Sequence, residues 1–347
     1  MSRSVFLAIR RRLRAALLTP IVWLPLLVLG MPLWIHAHGT QGAHSQTTHT
    51  ILPDPSAGYK VVNLAWMDAA RSRRVPARLF WPVAAQSESV PLVIFSPGIG
   101  SSRDGYTYLG RYWAEHGIAS LHLQHVGSDR SLWLGNPFSL ISRFQSAASD
   151  AEAIARVKDA RFALDRLLAS RLGPHIALDQ IAAAGHSYGA NTTLLEAGAT
   201  VTRNGEVLNF RDPRISAAIL ISAPPFYGEP DFRPILASIT IPTLHITTED
   251  DVIRIPGFNS GVSDREKIFD ATGSGHKVLA IYNEGSHNVF TDRRYFDSKQ
   301  VAEKVKADTR ALSLTFLEQA GSGFPQLDSW PARHPGLIGK YVVVTRE

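Results

Sequence analysis

The chain has 347 residues, 45% hydrophobic and 19% charged, a balance that suits a globular protein with a substantial core. It contains no cysteine, which excludes disulfides, thiolate metal sites and a cysteine nucleophile. Of its formal charge of +6, five charges come from Arg3, Arg10, Arg11, Arg12 and Arg14, so the rest of the chain is close to neutral and nucleic-acid binding loses its electrostatic basis.

Those arginines precede an apolar run over residues 15–35, and a polar stretch rich in His, Gly, Thr and Gln follows to residue 50. This is the order of a secretory signal. Residues 1–37 therefore read either as a cleaved signal peptide or as an uncleaved membrane anchor, with the arginines cytoplasmic in both cases. Residues 38–55 form a polar spacer, and the rest of the chain is expected outside the cytoplasm, in the periplasm, secreted or held at a membrane. His36, His38, His44 and His49 crowd this region without supporting acids, so no metal is expected there.

From residue 56 onward, strand-like and helix-like runs alternate. Residues 59–66 and 75–81 read as opening strands, expected to pair antiparallel. The near-continuous apolar run 91–95 reads as a buried parallel strand ending at a glycine-rich turn. A helix over 108–116 and a strand over 118–123 come next. Ala151, Ile154, Val157, Ala160, Ala163, Leu164 and Leu167 recur at helical spacing, which predicts a long amphipathic helix over 150–168. Further strands are predicted at 179–184, 215–221, 243–247 and 277–282, with a last helix over 301–317. Residues 200–214 break the pattern and read as a small insertion, a candidate partial lid. Alternation of this kind implies one α/β domain over residues 56–347, with a mostly parallel central sheet and helices on both faces.

Between the strand at 179–184 and the helix after it stands Gly185-His186-Ser187-Tyr188-Gly189. This G-x-S-x-G pattern, placed at a strand-to-helix turn, is a nucleophile elbow, which exposes a serine at the edge of a sheet above a helix N-terminus. A serine needs a base, and the base needs an acid, in the chain order Ser…Asp/Glu…His. Both should lie just beyond the C-terminal ends of later strands. After the strand at 243–247 come Glu249, Asp250 and Asp251, and the register of the turn selects Asp251 over Asp250. After the strand at 277–282 comes His287. His276 precedes that strand and should sit at the opposite edge, His245 lies within a strand, and His186 should support the turn. The developing oxyanion requires preorganised donors. The Tyr188 N–H is one, and the loop 96–101 supplies the other, with Ile99 preferred to Gly98. Trp133, Phe226 and Tyr227, with Pro224 and Pro225, lie on loops at the same edge and are candidates for an apolar substrate site.

These pieces together resemble the α/β-hydrolase fold enzymes, and among them the dienelactone-hydrolase-like esterases, a neighbourhood that includes the platelet-activating-factor acetylhydrolases. The resemblance runs from about residue 59 to about residue 317. It rests on the stretch Phe95-Ser-Pro-Gly-Ile-Gly-Ser-Ser-Arg-Asp, on Gly185-His-Ser-Tyr-Gly-Ala, on the Asp251 turn and on Gly285-Ser-His287. It departs from that group in two places. Dienelactone hydrolases themselves use a cysteine nucleophile, and Pro97 stands where a histidine commonly precedes the oxyanion glycine. The resemblance implies a cofactor-free serine esterase acting through an acyl-enzyme on a short-chain or moderately hydrophobic small-molecule ester. An acyltransferase would use the same residues. An inactive exported binding module would lack one of the three catalytic groups.

Overall fold

A computed structural model of the chain describes residues 58–83, 89–203, 205–255, 257–293, 296–321 and 323–346. The expected signal or anchor, the histidine-rich spacer and the boundaries at residues 37 and 55 lie outside the described residues.

In chain order the strands are β1 (Tyr59–Asp68), β2 (Arg73–Pro82) and β3 (Val90–Ser96), followed by helix α1 (Thr107–Glu115) and β4 (Ala119–Leu123). Helices α2 (Leu140–Ala147) and α3 (Asp150–Leu168) lead to β5 (Ile176–His186) and α4 (Tyr188–Ala197). A hairpin of β6 (Thr200–Arg203) and β7 (Glu206–Asn209) precedes β8 (Ile215–Ile221), the short α5 (Arg233–Leu236) and β9 (Thr243–Thr248). The chain then forms α6 (Val262–Ala271), β10 (His276–Tyr282), α7 (Lys299–Gln319), the short α8 (Trp330–Arg333) and β11 (Ile338–Thr345).

Nine strands make one sheet in the order β1-β2-β4-β3-β5-β8-β9-β10-β11. The strands from β4 through β10 run parallel to their neighbours, while β1, β2 and β11 are antiparallel additions at the two sides. The expected mostly parallel sheet is therefore present, extended by β11, which the sequence reading did not include. Successive side chains of a strand point to opposite faces, and both faces are covered here. Leu92 and Ile94 of β3 pack into a core with Val157, Ala160 and Leu164 of α3 and Leu194 of α4. Val93 and Phe95, one residue out of phase, pack into a second core with Leu109 and Trp113 of α1 and Leu312 and Phe316 of α7.

The 200–214 insertion is realised as the β6–β7 hairpin. Arg203, beside its turn, pairs with Asp150 at the start of α3 and with Glu229 on the loop after β8. Among the described residues no helix is long and apolar enough to cross a membrane.

Candidate active site

Strand register gathers the site. His186 at the end of β5 lies opposite Ile221 of β8, Ile221 opposite Ile246 of β9, and Thr248 at the end of β9 opposite Tyr282 of β10. The residues that follow β5, β9 and β10 therefore emerge at one edge of the sheet. His276, which opens β10, stands at the other edge. His245 is buried within β9 against Phe269.

Ser187 sits at φ 54 and ψ −126, a conformation that a non-glycine residue adopts at a cost of about 1–3 kcal/mol. Its surroundings enforce it. The Ser187 N–H donates to Ile221 O at 2.9 Å, and its carbonyl accepts from the Ala190 N–H at 2.8 Å in the first turn of α4. A Cβ at Gly189 would collide with the backbone carbonyls of Ser96 and Pro97, so the elbow can pack directly on the loop after β3 only because residue 189 is glycine.

His287 Nε2 lies 2.8 Å from Ser187 Oγ, and His287 Nδ1 lies 2.7 Å from Asp251 Oδ1. Asp250 is exposed, whereas Asp251 is fully buried. The Asp251 carboxylate also accepts from Thr247 Oγ1 at 2.6 Å and from Arg265 Nε and Nη2 at 3.2 and 3.1 Å. Burial alone would raise its pKa, but His287, Arg265 and the Thr247 hydroxyl together hold the carboxyl well below the usual range. An ionised Asp251 can only accept, so His287 carries its proton on Nδ1 and turns the Nε2 lone pair toward the Ser187 hydroxyl. Two contacts steady the histidine loop. Ser286 donates through N–H and Oγ to Asp297 at 2.6 and 2.7 Å, and the Thr248 hydroxyl donates to Gly285 O.

The loop 97–101 lies against the elbow, since a Cβ at Gly98 would stand 3.4 Å from Ser187 Cβ. Its N–H groups sort themselves by partner. Gly98 N–H donates to Tyr106 Oη at 3.3 Å, Gly100 N–H to Ser128 O at 2.7 Å, and Ser101 N–H to Gly98 O at 3.1 Å. Among the described residues the N–H groups of Ile99 and Tyr188 have no such partner. A trans peptide points its N–H opposite to its C=O. The carbonyl paired with Ile99 N–H is Gly98 O, engaged by Ser101, and the one paired with Tyr188 N–H is Ser187 O, engaged inside α4. Both free N–H groups therefore face away from these bonds.

His186, the residue before Ser187, links three loops. His287 O can only accept, so His186 Nε2 donates to it at 3.0 Å. Its Nδ1 then accepts from Tyr106 Oη at 2.9 Å, and the Tyr106 oxygen accepts the Gly98 N–H. Burial depresses the His186 pKa to about 3, which keeps the ring neutral in this role.

Of the expected substrate-side residues, Trp133 is 43% exposed and donates Nε1–H to Gly100 O at 2.8 Å, beside Ile99. Phe226 packs against the core of the α3/α4 face, and Tyr227 donates to Phe258 O at 3.0 Å and stacks edge-on with Phe258. Both line a cleft of about 410 Å³ whose walls include Asp264 and Lys267 but none of Ser187, Asp251 and His287. Among the described residues, no group of three or more His, Cys, Asp or Glu side chains is placed to hold a metal ion.

Sequence reasoning missed Arg265, Arg156, Tyr106 and Asp297. None carries a local motif, and each is brought to the site by a different element.

No family model and no curated protein matches the chain. Solved structures do match its fold. A PEG-bound complex of a cold-adapted esterase from an Arctic intertidal metagenomic library aligns at a TM-score of 0.53 and 17% identity, over 80% of this chain and 99% of that one. The native structure of a cold-adapted esterase from such a library gives 0.48 and 16%, over 77% and 96%. With its strand order, the chain has the α/β-hydrolase fold.

Proposed function

We propose that this protein is a serine carboxylic-ester hydrolase that works through an acyl-enzyme. The observation that carries this reading is the unbroken relay from Asp251 Oδ1 to His287 Nδ1 at 2.7 Å and from His287 Nε2 to Ser187 Oγ at 2.8 Å, with the serine on a strained elbow. His287 Nε2 takes the hydroxyl proton as Ser187 Oγ bonds the ester carbonyl carbon. The carbonyl oxygen becomes an oxyanion and is met by the N–H groups of Ile99 and Tyr188. Collapse breaks the bond to the alcohol, which leaves with the proton from His287. Water then repeats the sequence on the acyl-enzyme and releases the acid.

Trp133, held beside the oxyanion loop with part of its ring exposed, supports a substrate of short or moderate apolar character. The esterase whose structure shares the fold is consistent with hydrolase chemistry at that level. A complete relay argues against an inactive binding module. The narrower likeness to the dienelactone-hydrolase-like esterases, and the export implied by the basic and apolar N-terminal segment, belong to the same proposal.

A fluorophosphonate probe tests the mechanism. Wild type should label, and Ser187→Ala and His287→Ala should not. Labelling that survives Ser187→Ala, or none in wild type, would refute the reading.

A further inference from the structure

Behind the loop 97–101 and the elbow lies a guanidinium to which the mechanism above gives no role. Arg156, in the second turn of α3, is fully buried, and among the described residues no carboxylate lies within direct hydrogen-bonding distance of it. Its Nη2 donates to Pro97 O at 2.5 Å, its Nη1 to Ser128 Oγ at 2.8 Å and its Nε to Thr192 Oγ1 at 3.0 Å, while its Cζ stands 4.6 Å from the centre of the Tyr188 ring. These partners fall into two groups. Pro97 and Ser128 belong to the arm that carries Ile99, because the carbonyl of Ser128 also receives the Gly100 N–H at 2.7 Å. The Pro97–Gly98 peptide, one unit before the one that carries the Ile99 N–H, and the Ile99–Gly100 peptide, one unit after it, are thus tied to one side chain, the first directly and the second through Ser128. Tyr188 and Thr192 belong to the other arm, the first turn of α4, and the Thr192 hydroxyl in turn donates to Tyr188 O at 3.2 Å.

The site is built to hold this charge in place. The Ser128 hydroxyl donates a hydrogen bond to Glu152 Oε1 at 2.9 Å, and Arg73 bridges Glu152 and Asp159 at 3.0 and 2.9 Å. Glu152, Arg156 and Asp159 follow one another at helical spacing along the buried side of α3. Burying a cation without a directly paired anion costs several kcal/mol, so its retention at this position calls for a use.

We propose that Arg156 is the positioning residue of the oxyanion hole: one buried guanidinium fixes both backbone arms whose N–H groups, Ile99 and Tyr188, receive the oxyanion, and places a positive charge behind them. The proposal rests on the serine-hydrolase reading above. Donors locked before the reaction need no reorganisation during it, and removing one donor from such a hole typically lowers kcat about 10²–10³-fold. Freeing both arms by a single substitution should reach that range.

The test compares wild type with Arg156→Gln, Arg156→Lys and, as a control of equal charge change on the same helix, Arg161→Gln. Arg161 is partly exposed and pairs with Asp212 away from the site. Hydrolysis of p-nitrophenyl butyrate gives kcat and KM, a trifluoromethyl ketone reports affinity for the tetrahedral adduct, and circular dichroism reports folding. In that adduct Ser187 Oγ bonds the ketone carbon, its proton passes to His287, and the ketone oxygen becomes the bound oxyanion. Arg156→Gln should lower kcat by about 10²-fold or more and weaken the ketone by a similar factor, with KM within about threefold. Arg156→Lys should recover part of both, and Arg161→Gln should match wild type. A merely structural role would leave the ketone affinity of the folded fraction unchanged. A folded Arg156→Gln within threefold of wild-type kcat, or one that loses kcat but binds the ketone as wild type does, overturns the proposal. If Arg156→Gln does not fold, Thr192→Val, which frees only the α4 arm, should lose about fivefold in kcat and in ketone affinity together, and no loss in either overturns it. Failure of the hydrolase reading is distinct: wild type itself would neither turn over the ester nor label at Ser187.

Discussion

Replacing Asp251 by asparagine separates the acid from its neighbour and probes the logic of the relay. The carboxylate accepts from His287, Thr247 and twice from Arg265, and none of these four bonds leaves it room to donate. An asparagine must turn its NH2 group toward His287 or toward Thr247 and Arg265. Facing His287 it forces the ring into the tautomer with the proton on Nε2, which cannot accept from Ser187. Facing Arg265 it sets donors against donors around a side chain that is fully buried. The first outcome costs on the order of 10⁴ in kcat, or about 5.4 kcal/mol of transition-state stabilisation. In either orientation the buried Arg265 loses its anion, which costs about 3 kcal/mol of stability. Thermal melts of the purified variant should therefore fall along with activity, and kcat should be measured on the folded fraction. Asp250 is exposed, and Asp250→Asn should change kcat by less than threefold. The reasoning is refuted if Asp251→Asn keeps more than a tenth of wild-type kcat while Asp250→Asn loses more.

Two further expectations concern stability and pH. Glu196 is buried near Asp212, and burial raises its pKa to about 8. The unfolded chain releases this proton near 4.5 and the folded chain near 8, so stability should fall as pH rises through that interval, by a few kcal/mol. Glu196→Gln should remove this slope. Urea unfolding at pH 5 and pH 9 checks it, and an identical pH dependence in both proteins would contradict the assignment. In the acid direction, burial depresses His122, His186 and His245 to about 3 and His125 to about 4, all from 6.5. Their stabilising contribution is complete above pH 6.5 and is lost as pH falls toward those values, because only the unfolded chain takes up the protons. The four protons contribute a slope of about 5 kcal/mol per pH unit near pH 5, which the opposing Glu196 slope reduces to about 4. A stability that stays flat between pH 7 and 5 would refute it.

Much of the fold is legible because its signals are local. β3 and β8 read as apolar runs of strand length, and the elbow carries its own glycines. Asp251 and His287 follow from their place just beyond a strand end. What escaped was either unpatterned or patterned in a misleading way. β11 (Ile338–Thr345) is a β-branched stretch that would be an ordinary tail without β10 to pair with, and only the sheet reveals it. α6 buries Arg265, Ile268, Phe269 and Ala271, too few apolar positions to raise a helical period above its charged residues. On α3 the apolar spacing is real, yet Glu152, Arg156 and Asp159 share the buried side. Three charges at helical spacing read as a solvated face, and only the partners contributed by β2, the β4–α2 connection and α4 show otherwise. Phe226 and Tyr227 follow β8, but their contacts run to a cleft that none of Ser187, Asp251 and His287 lines.

The two buried arginines near the reacting atoms have opposing electrostatic effects, which assigns them different tasks. In the proposed reaction, negative charge grows on the substrate oxygen and positive charge on His287 as Ser187 attacks. Arg156 lies behind the hole, where its field favours the first change. Arg265 and His287 share Asp251 Oδ1, and the field of Arg265 opposes the second change, since it competes for the carboxylate on which the imidazolium depends. Its benefit must therefore come before the reaction. A fully buried Asp251 facing only a neutral imidazole and a hydroxyl would be pushed toward protonation by desolvation. A protonated Asp251 would no longer hold the His287 tautomer. Arg265 keeps the acid charged and fixed at the cost of some imidazolium stabilisation, while Arg156 acts on the side of the site where added positive charge carries no such penalty.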